Sequence, residues 1–112
     1  MIVSTARVET REAMRGGKGS VQIAHVDVPL PPTIRLLATI TLAPGCSIGE
    51  HTHVDETEVF RFLSGAGSVL DDGERISIQA GDTMLTPSGH SHAVENDGME
   101  DLVFLASIII DP

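Results

Sequence analysis

Residues 45–65 read GCSIGEHTHVDETEVFRFLSG. The stretch sets two imidazoles, His51 and His53, among four carboxylates, Glu50, Asp55, Glu56 and Glu58. It then returns at once to apolar sequence carrying Phe60 and Phe62, in a chain with Phe 3 in all. On an extended strand, side chains alternate in direction, so the two histidines share a face about 6–7 Å apart along the backbone. That spacing suits two neighbouring positions on one metal ion. His51, His53 and Asp55 lie in one phase, and Glu56 and Glu58 in the other. Glu58 therefore joins the histidines only if the chain turns between Val54 and Thr57, and those residues are short and largely polar, as a turn would be. Beyond the turn, Glu58 heads a face with Phe60 and Phe62, where an unpaired carboxylate is costly to bury. A metal ion or a strong hydrogen-bonding partner would offset that cost. Glu50, Asp55 and Glu56 have no such apolar followers and read as solvated.

Outward from this stretch, the chain is short strands between turns. Gly and Pro punctuate it at Gly16-Gly17, Pro29 to Pro32, Pro44-Gly45, Gly65 to Gly67, Gly81, Pro87 to Gly89 and Asp97-Gly98. The segments between are rich in Val, Ile, Leu, Thr and Phe, the pattern of an all-β sandwich or barrel. Asp72-Gly73 marks a hairpin. Ile34, Leu36, Ala38, Ile40 and Leu42 form one alternating face, read as core; His92, Val94 and Asn96 form another. A weak polar stretch near Glu9 to Met14 is the sole helix candidate. The run LVFLASIII, residues 102–110, is apolar at almost every position, as in a strand covered on both faces. In so small a domain the second cover is expected to be another subunit, so a homodimer is expected; the N-terminal segment folding over it is the alternative.

Composition narrows the function classes. A chain of 112 residues is a single domain, here divided into an N-terminal arm or edge strand, 1–20, and a barrel, 21–112. The net charge of −9 argues against nucleic acid and against anionic membrane surfaces as partners. The lone Cys46 rules out an intrachain disulfide and suits a cytoplasmic setting. No secretory leader is evident in MIVSTARVET, and no run approaches the roughly 20 apolar residues of a membrane helix.

A metal site built on His51, His53 and Glu58 needs a further ligand, and His92, leading a strand after Pro87-Ser88-Gly89, could face the pair across a barrel. Three histidines and one glutamate leave room for two more ligands in an octahedral ion. That suits Mn, Fe, Co or Ni better than a closed structural Zn site.

The residues at these spacings resemble the two cupin motifs. Gly45, His51, His53, Glu58 and Gly65 keep every spacing of G-x5-H-x-H-x3,4-E-x6-G, within residues 45–65. Gly81, Pro87, Gly89, His92 and Asn96 keep every spacing of G-x5-P-x-G-x2-H-x3-N, within residues 81–96. At about one chance match in fifteen per position, the joint chance is on the order of 10⁻¹². Met14-Arg15-Gly16-Gly17 is also similar to small manganese-containing cupins, some of them relatives of oxalate decarboxylase. The resemblance implies a jelly-roll β-barrel of two packed antiparallel sheets. It implies His51, His53, Glu58 and His92 as the ligands of one divalent transition metal per chain, Mn first, then Fe, Ni, Co or Zn. It implies a site opening at one mouth of the barrel, and homodimers. The lid glutamate of oxalate decarboxylase has no identified counterpart here.

The remaining candidates follow. His90 and Glu50 are candidate acid–base residues. Phe60, Phe62, Val94, Asn96 and Phe104 are expected to line the pocket. Arg35 and Arg61 are candidates for holding a substrate carboxylate, since a guanidinium fork matches it; parity points both away from the core face. His25 shares phase with Val21 and Ile23 and reads as a satisfied core or interface histidine. Cys46 reads as a small buried side chain, and Arg15 to Ser20 as a flexible arm or lid. The function expected is a metal-dependent oxidoreductase or lyase acting on a small oxygen-bearing molecule, a carboxylate or a diketone/enolate, by dioxygenase or decarboxylase chemistry. The alternatives are a non-catalytic binding or sensing module and a metal-assisted isomerase or cyclase.

Overall fold

The alternating apolar faces fold into ten strands: β1 Ala6–Glu12, β2 Ser20–Val26, β3 Ile34–Leu42, β4 Ser47–Thr52, β5 Glu56–Ser64, β6 Ala66–Asp71, β7 Glu74–Gln79, β8 Thr83–Thr86, β9 Ser91–Glu95 and β10 Leu102–Ile110. The computed structural model describes residues 1–112. A six-stranded sheet, in the order β1-β2-β3-β10-β5-β8, faces a four-stranded sheet, β4-β9-β6-β7. Every strand pairing is antiparallel. The expected all-β jelly-roll of two packed antiparallel sheets is therefore what forms. No helix is long and apolar enough to cross a membrane.

The inward faces fill the space between the sheets. Val21 and Ile23 of β2, Ala38, Ile40 and Leu42 of β3, Phe60 and Phe62 of β5, Val94 of β9, and Leu102, Phe104 and Ala106 of β10 are all buried. Ile34 and Leu36, expected in the same core face of β3, are only half-buried, because that end of the strand opens toward a cavity. The β6–β7 hairpin turns at Asp72 (φ 49) and Gly73 (φ 83), with Asp71 paired to Glu74. Two successive positive φ values are those of the two-residue turn that Asp-Gly favours.

One expectation changes. The polar stretch near Glu9 to Met14 is not a helix: Ala6–Glu12 is a strand registered from Ala6↔Val26 to Glu12↔Ser20, followed by a 3₁₀ turn at Met14–Gly16. An edge strand with no core face needs no apolar alternation, which is why its sequence reads ambiguously. Within the single chain the final run is covered on its inner face. Leu102, Phe104, Ala106 and Ile108 are buried, whereas Val103, Leu105 and Ser107 are half-buried and Ile109 and Ile110 exposed. β1 extends the sheet beside β2 and does not fold over this outer face.

Candidate metal centre and its cavity

The first site residues are positioned by a bulge. β4 and β9 pair Ile48↔Val94 and then His51↔His92, so Gly49 and Glu50 stand opposite a single residue, Ala93. The extra residue resets the phase, and both Ile48 and His51 face inward. Glu50 is the displaced residue. It is exposed on the outer side of the small sheet, along a groove with Gly17, Lys18 and Arg75. Its place as a candidate acid–base residue is not supported by that position.

The turn that brings Glu58 back occurs slightly earlier than expected. Strand β4 ends at Thr52, Asp55 adopts φ 62, and β5 begins at Glu56. Asp55 is exposed and its N–H donates to Ser88 Oγ at 2.8 Å. Glu58 then points inward and is 5% exposed.

Four side chains converge. His53 Nε2 lies 2.8 Å and His92 Nε2 3.0 Å from Glu58 Oε1, and His51 Nε2 lies 3.1 Å from His92 Nε2. The ligating atoms of His51, His53, Glu58 and His92 all fall within 4.8 Å of one another, and the group could hold one metal ion. Each ring is oriented from behind. His51 Nδ1–H donates to the Gly49 carbonyl at 2.8 Å, His53 Nδ1–H to Glu56 Oε1 at 2.8 Å, and His92 Nδ1–H to Thr86 Oγ1 at 2.8 Å. A proton fixed on Nδ1 leaves the Nε2 lone pair of a neutral ring facing the centre, the arrangement of metal-binding histidines. Three such lone pairs and a carboxylate oxygen repel one another unless a cation lies among them. Burial holds His51 below the usual imidazole value, and the charges of His92, His53 and Arg15 push the same way against the Gly49 carbonyl. A neutral ring is the form a metal requires. Below the cluster, Phe60 stacks on His92 with centroids 4.9 Å apart and planes 13° apart, and Phe104 packs on Phe60 at 4.8 Å.

Glu56 is not solvated. It sits on the same inward phase as Glu58, with its side chain 14% exposed. Arg35 grips it with both forks, Nε to Oε2 at 2.6 Å and Nη2 to Oε1 at 2.7 Å. The Arg35 guanidinium, helped by His53, draws the Glu56 carboxyl down to about 2. Arg35 therefore holds a carboxylate of its own chain, and through it the orientation of His53.

A cavity of about 90 Å³ adjoins the cluster, lined by His51, His53, Glu58, Ile23, Leu36 and Ile108 on the barrel side, and by His25, Arg35, Arg11, Met14 and Arg15 on the other. Met14 and Arg15 come from the arm, which is seated on β4. A Cβ built on Gly49 would lie 2.0 Å from the Arg15 carbonyl oxygen, so only glycine permits this approach. The segment expected to be a flexible lid is thus packed in place at the mouth. Of the three arginines lining the cavity, Arg11 donates to Glu9 at 2.6 Å and Arg35 to Glu56, while Arg15 has no acid partner.

Other candidates lie elsewhere. His90 is half exposed and pairs with Asp72 at the β6–β7 turn, which raises its pKa and lowers that of Asp72; neither lines the cavity. Phe62, Val94 and Phe104 are core beneath the site, and Phe60 reaches it only as the surface on which His92 rests. Asn96 donates to the Leu42 and Glu100 carbonyls at 2.7 and 2.8 Å and accepts from Gly98 N–H, tying the β9–β10 loop. Arg61 donates to the Gly81 carbonyl and Thr83, stapling β5 to β8. Sequence reasoning missed Thr86, Glu56 and His25 as parts of the site. Glu56 and His25 carried a signal, their phase; Thr86 carried none.

Residues 38–108 match the family described as Cupin domain, and the chain belongs to that family. It is 42% identical over 114 aligned positions, 98% of this chain and 94% of the relative, to a Thermotoga maritima protein named oxalate-binding protein. A crystal structure from Thermotoga maritima, described as a predicted oxalate decarboxylase, superposes with a TM-score of 0.91 at 42% identity, covering 98% of this chain and 99% of that one. A tetracenomycin polyketide synthase protein of Streptomyces glaucescens is 28% identical over 80 residues, 71% of this chain and 54% of its own length.

Proposed function

We propose that this chain binds a small carboxylate of the oxalate class at one divalent transition ion held by His51, His53, Glu58 and His92. The observation that carries the reading is the cavity itself. It joins a cluster built for a cation to a wall bearing Arg15, an arginine with no acid partner. Its roughly 90 Å³ equals about three water volumes, room for one ligand of half a dozen heavy atoms. The relative named oxalate-binding protein supports the same ligand class. Mn is the expected ion, before Fe, Ni, Co or Zn, on the resemblance to small manganese-containing cupins; a three-nitrogen, one-oxygen set that leaves two octahedral positions suits Mn, Fe, Co and Ni alike. The ion would supply a Lewis-acid grip on ligand oxygens. The chain's own residues supply the rest: Gly49, Glu56 and Thr86 hold the rings, Arg15 offers charge to an anion, and Ile23, Leu36 and Ile108 restrict space.

Oxidoreductase and lyase chemistry on the bound carboxylate extends this reading. Both need a proton carrier, and the cavity offers His25 but no carboxylate beyond Glu58. Calorimetric titration of oxalate into Mn-loaded and metal-stripped protein tests the proposal. Binding is expected only with metal, at one ion per chain by elemental analysis, and absence of binding to loaded protein rejects it. CO₂ release without oxygen uptake then marks a lyase, oxygen uptake an oxidoreductase, and binding alone a sensor.

A homodimer through the outer face of β10 completes the reading. Val103 and Leu105 there, with Leu37 of β3 and Val59 of β5 in register on either side of Ser107, are half-buried on the outer side of the sheet and offer apolar surface to a second copy. Light scattering is expected to give twice the chain mass, and Leu105→Lys to halve it.

A further inference from the structure

His25 was expected to be a satisfied core or interface histidine. It lies on β2, paired with Arg7 of β1 and Ala38 of β3, with its side chain 17% exposed. Its Nε2 is the one buried side-chain polar atom of the chain that has no hydrogen-bond partner. Buried polar groups are nearly always paired, so an orphan in an otherwise satisfied chain calls for an explanation. The nearest charge is Glu9 Oε1 at 3.8 Å, beyond hydrogen-bond reach, and that oxygen already accepts from Arg11 Nε at 2.6 Å. The ring lines the cavity that holds His51, His53 and Glu58, on the wall built by β2 and the arm.

We propose that His25 Nε2–H is a ligand-binding donor, which holds the end of a two-ended carboxylate that the metal does not. This rests on the carboxylate-binding reading above. An ion held by the cluster would grip one end of the ligand, and the other end would accept a hydrogen bond from His25 within the positive surroundings of Arg15. The three cluster histidines spend their Nδ1–H groups on protein acceptors and direct Nε2 at the centre. The His25 ring lines the same cavity, and its buried Nε2 has nothing of the protein to donate to. A one-ended acid such as formate would use the ion alone.

The test titrates oxalate and, separately, formate into Mn-loaded wild type, His25→Phe, which keeps a ring of similar shape, and His25→Gln, which keeps a donor. Loss of a hydrogen bond to a charged ligand is expected to weaken oxalate binding about tenfold or more in His25→Phe. Formate affinity and one Mn per chain are expected to stay, and His25→Gln to recover part of the loss. The Tm of metal-free His25→Phe is expected not to fall, since an unsatisfied nitrogen is removed; His25→Leu gives the same comparison in less volume should the phenylalanine fail to pack. Unchanged oxalate affinity in the variants overturns the assignment while leaving the carboxylate reading standing. So does an equal loss for oxalate and formate, which would mark a general disturbance of the cavity. Failure of Mn-loaded wild type to bind oxalate overturns both.

Discussion

The two walls of the cavity are built on opposite rules. On the cluster wall, every imidazole is fixed from behind, His51 by a backbone carbonyl, His53 by Glu56 and His92 by Thr86. On the wall of β2 and the arm, His25 has an orphan nitrogen and Arg15 an uncommitted charge. A wall with its donors spent on the protein presents lone pairs and suits a cation. A wall with donors left over suits an anion. By this contrast the five histidines of one acidic chain divide into three cluster residues, one surface residue and one orphan on the cavity wall.

The largest expected effect removes the first wall outright. His51→Ala combined with His92→Ala should abolish stoichiometric metal in protein purified without added metal, read by elemental analysis. Retention of the ion would dissolve the comparison. Next comes Glu56→Gln, which keeps the shape but loses the charged acceptor of His53 and the fork of Arg35. Outer partners of metal-binding histidines are worth about 10–100-fold in affinity, so metal competition assays should show a loss of that order. The same variant has a pH signature in metal-free protein. The folded-state pKa of Glu56 is depressed, from 4.5 to about 2. Its stabilisation is therefore present in full above the unfolded value and lost as pH falls from about 4.5 through about 2. Acid unfolding of Glu56→Gln should lack that component.

Smaller effects sharpen the second wall. Arg15→Ala should leave metal content unchanged and weaken oxalate binding several-fold, measured by calorimetry at low salt, where an unscreened charge counts most. Gly49→Ala should act on the same quantity indirectly. A methyl at 2.0 Å from the Arg15 carbonyl oxygen forces the arm off β4, and Arg15 moves with it. Retained oxalate affinity in both variants would show that the arm contributes nothing to the site.

Glu56 and Glu50 show how far the sequence could be read. Both stand near the histidines in a loop-like, acidic stretch, and both read as solvent-facing. Glu50 is so, because a bulge displaces it outward. Glu56 is not, and its phase had said as much. It shares parity with Glu58, Phe60 and Phe62, so once β5 begins at Glu56 it must point inward. The reading failed on where the turn ends, a two-residue matter. His25 failed differently. Its phase with Val21 and Ile23 correctly placed it inward, but the reading assumed a partner, and whether one exists depends on strands remote in sequence. Phe62, Val94, Asn96 and Phe104, expected to line the pocket, are buried inside the barrel and do not line this cavity, because alternation gives a side and not a depth.

By itself the sequence determined the strand-and-turn order, the hairpin at Asp72-Gly73 and the two cupin motifs, and the resemblance those motifs carry implied that His51, His53, Glu58 and His92 would meet. These follow from local conformational rules and from spacings within two short motifs. The tertiary structure alone decided which residues orient the rings, that Arg35 serves Glu56 across 21 positions of sequence, and that the arm and His25 form the second wall. Those depend on which strands become neighbours when two sheets close on one another, and no short-range pattern in the chain encodes that distance.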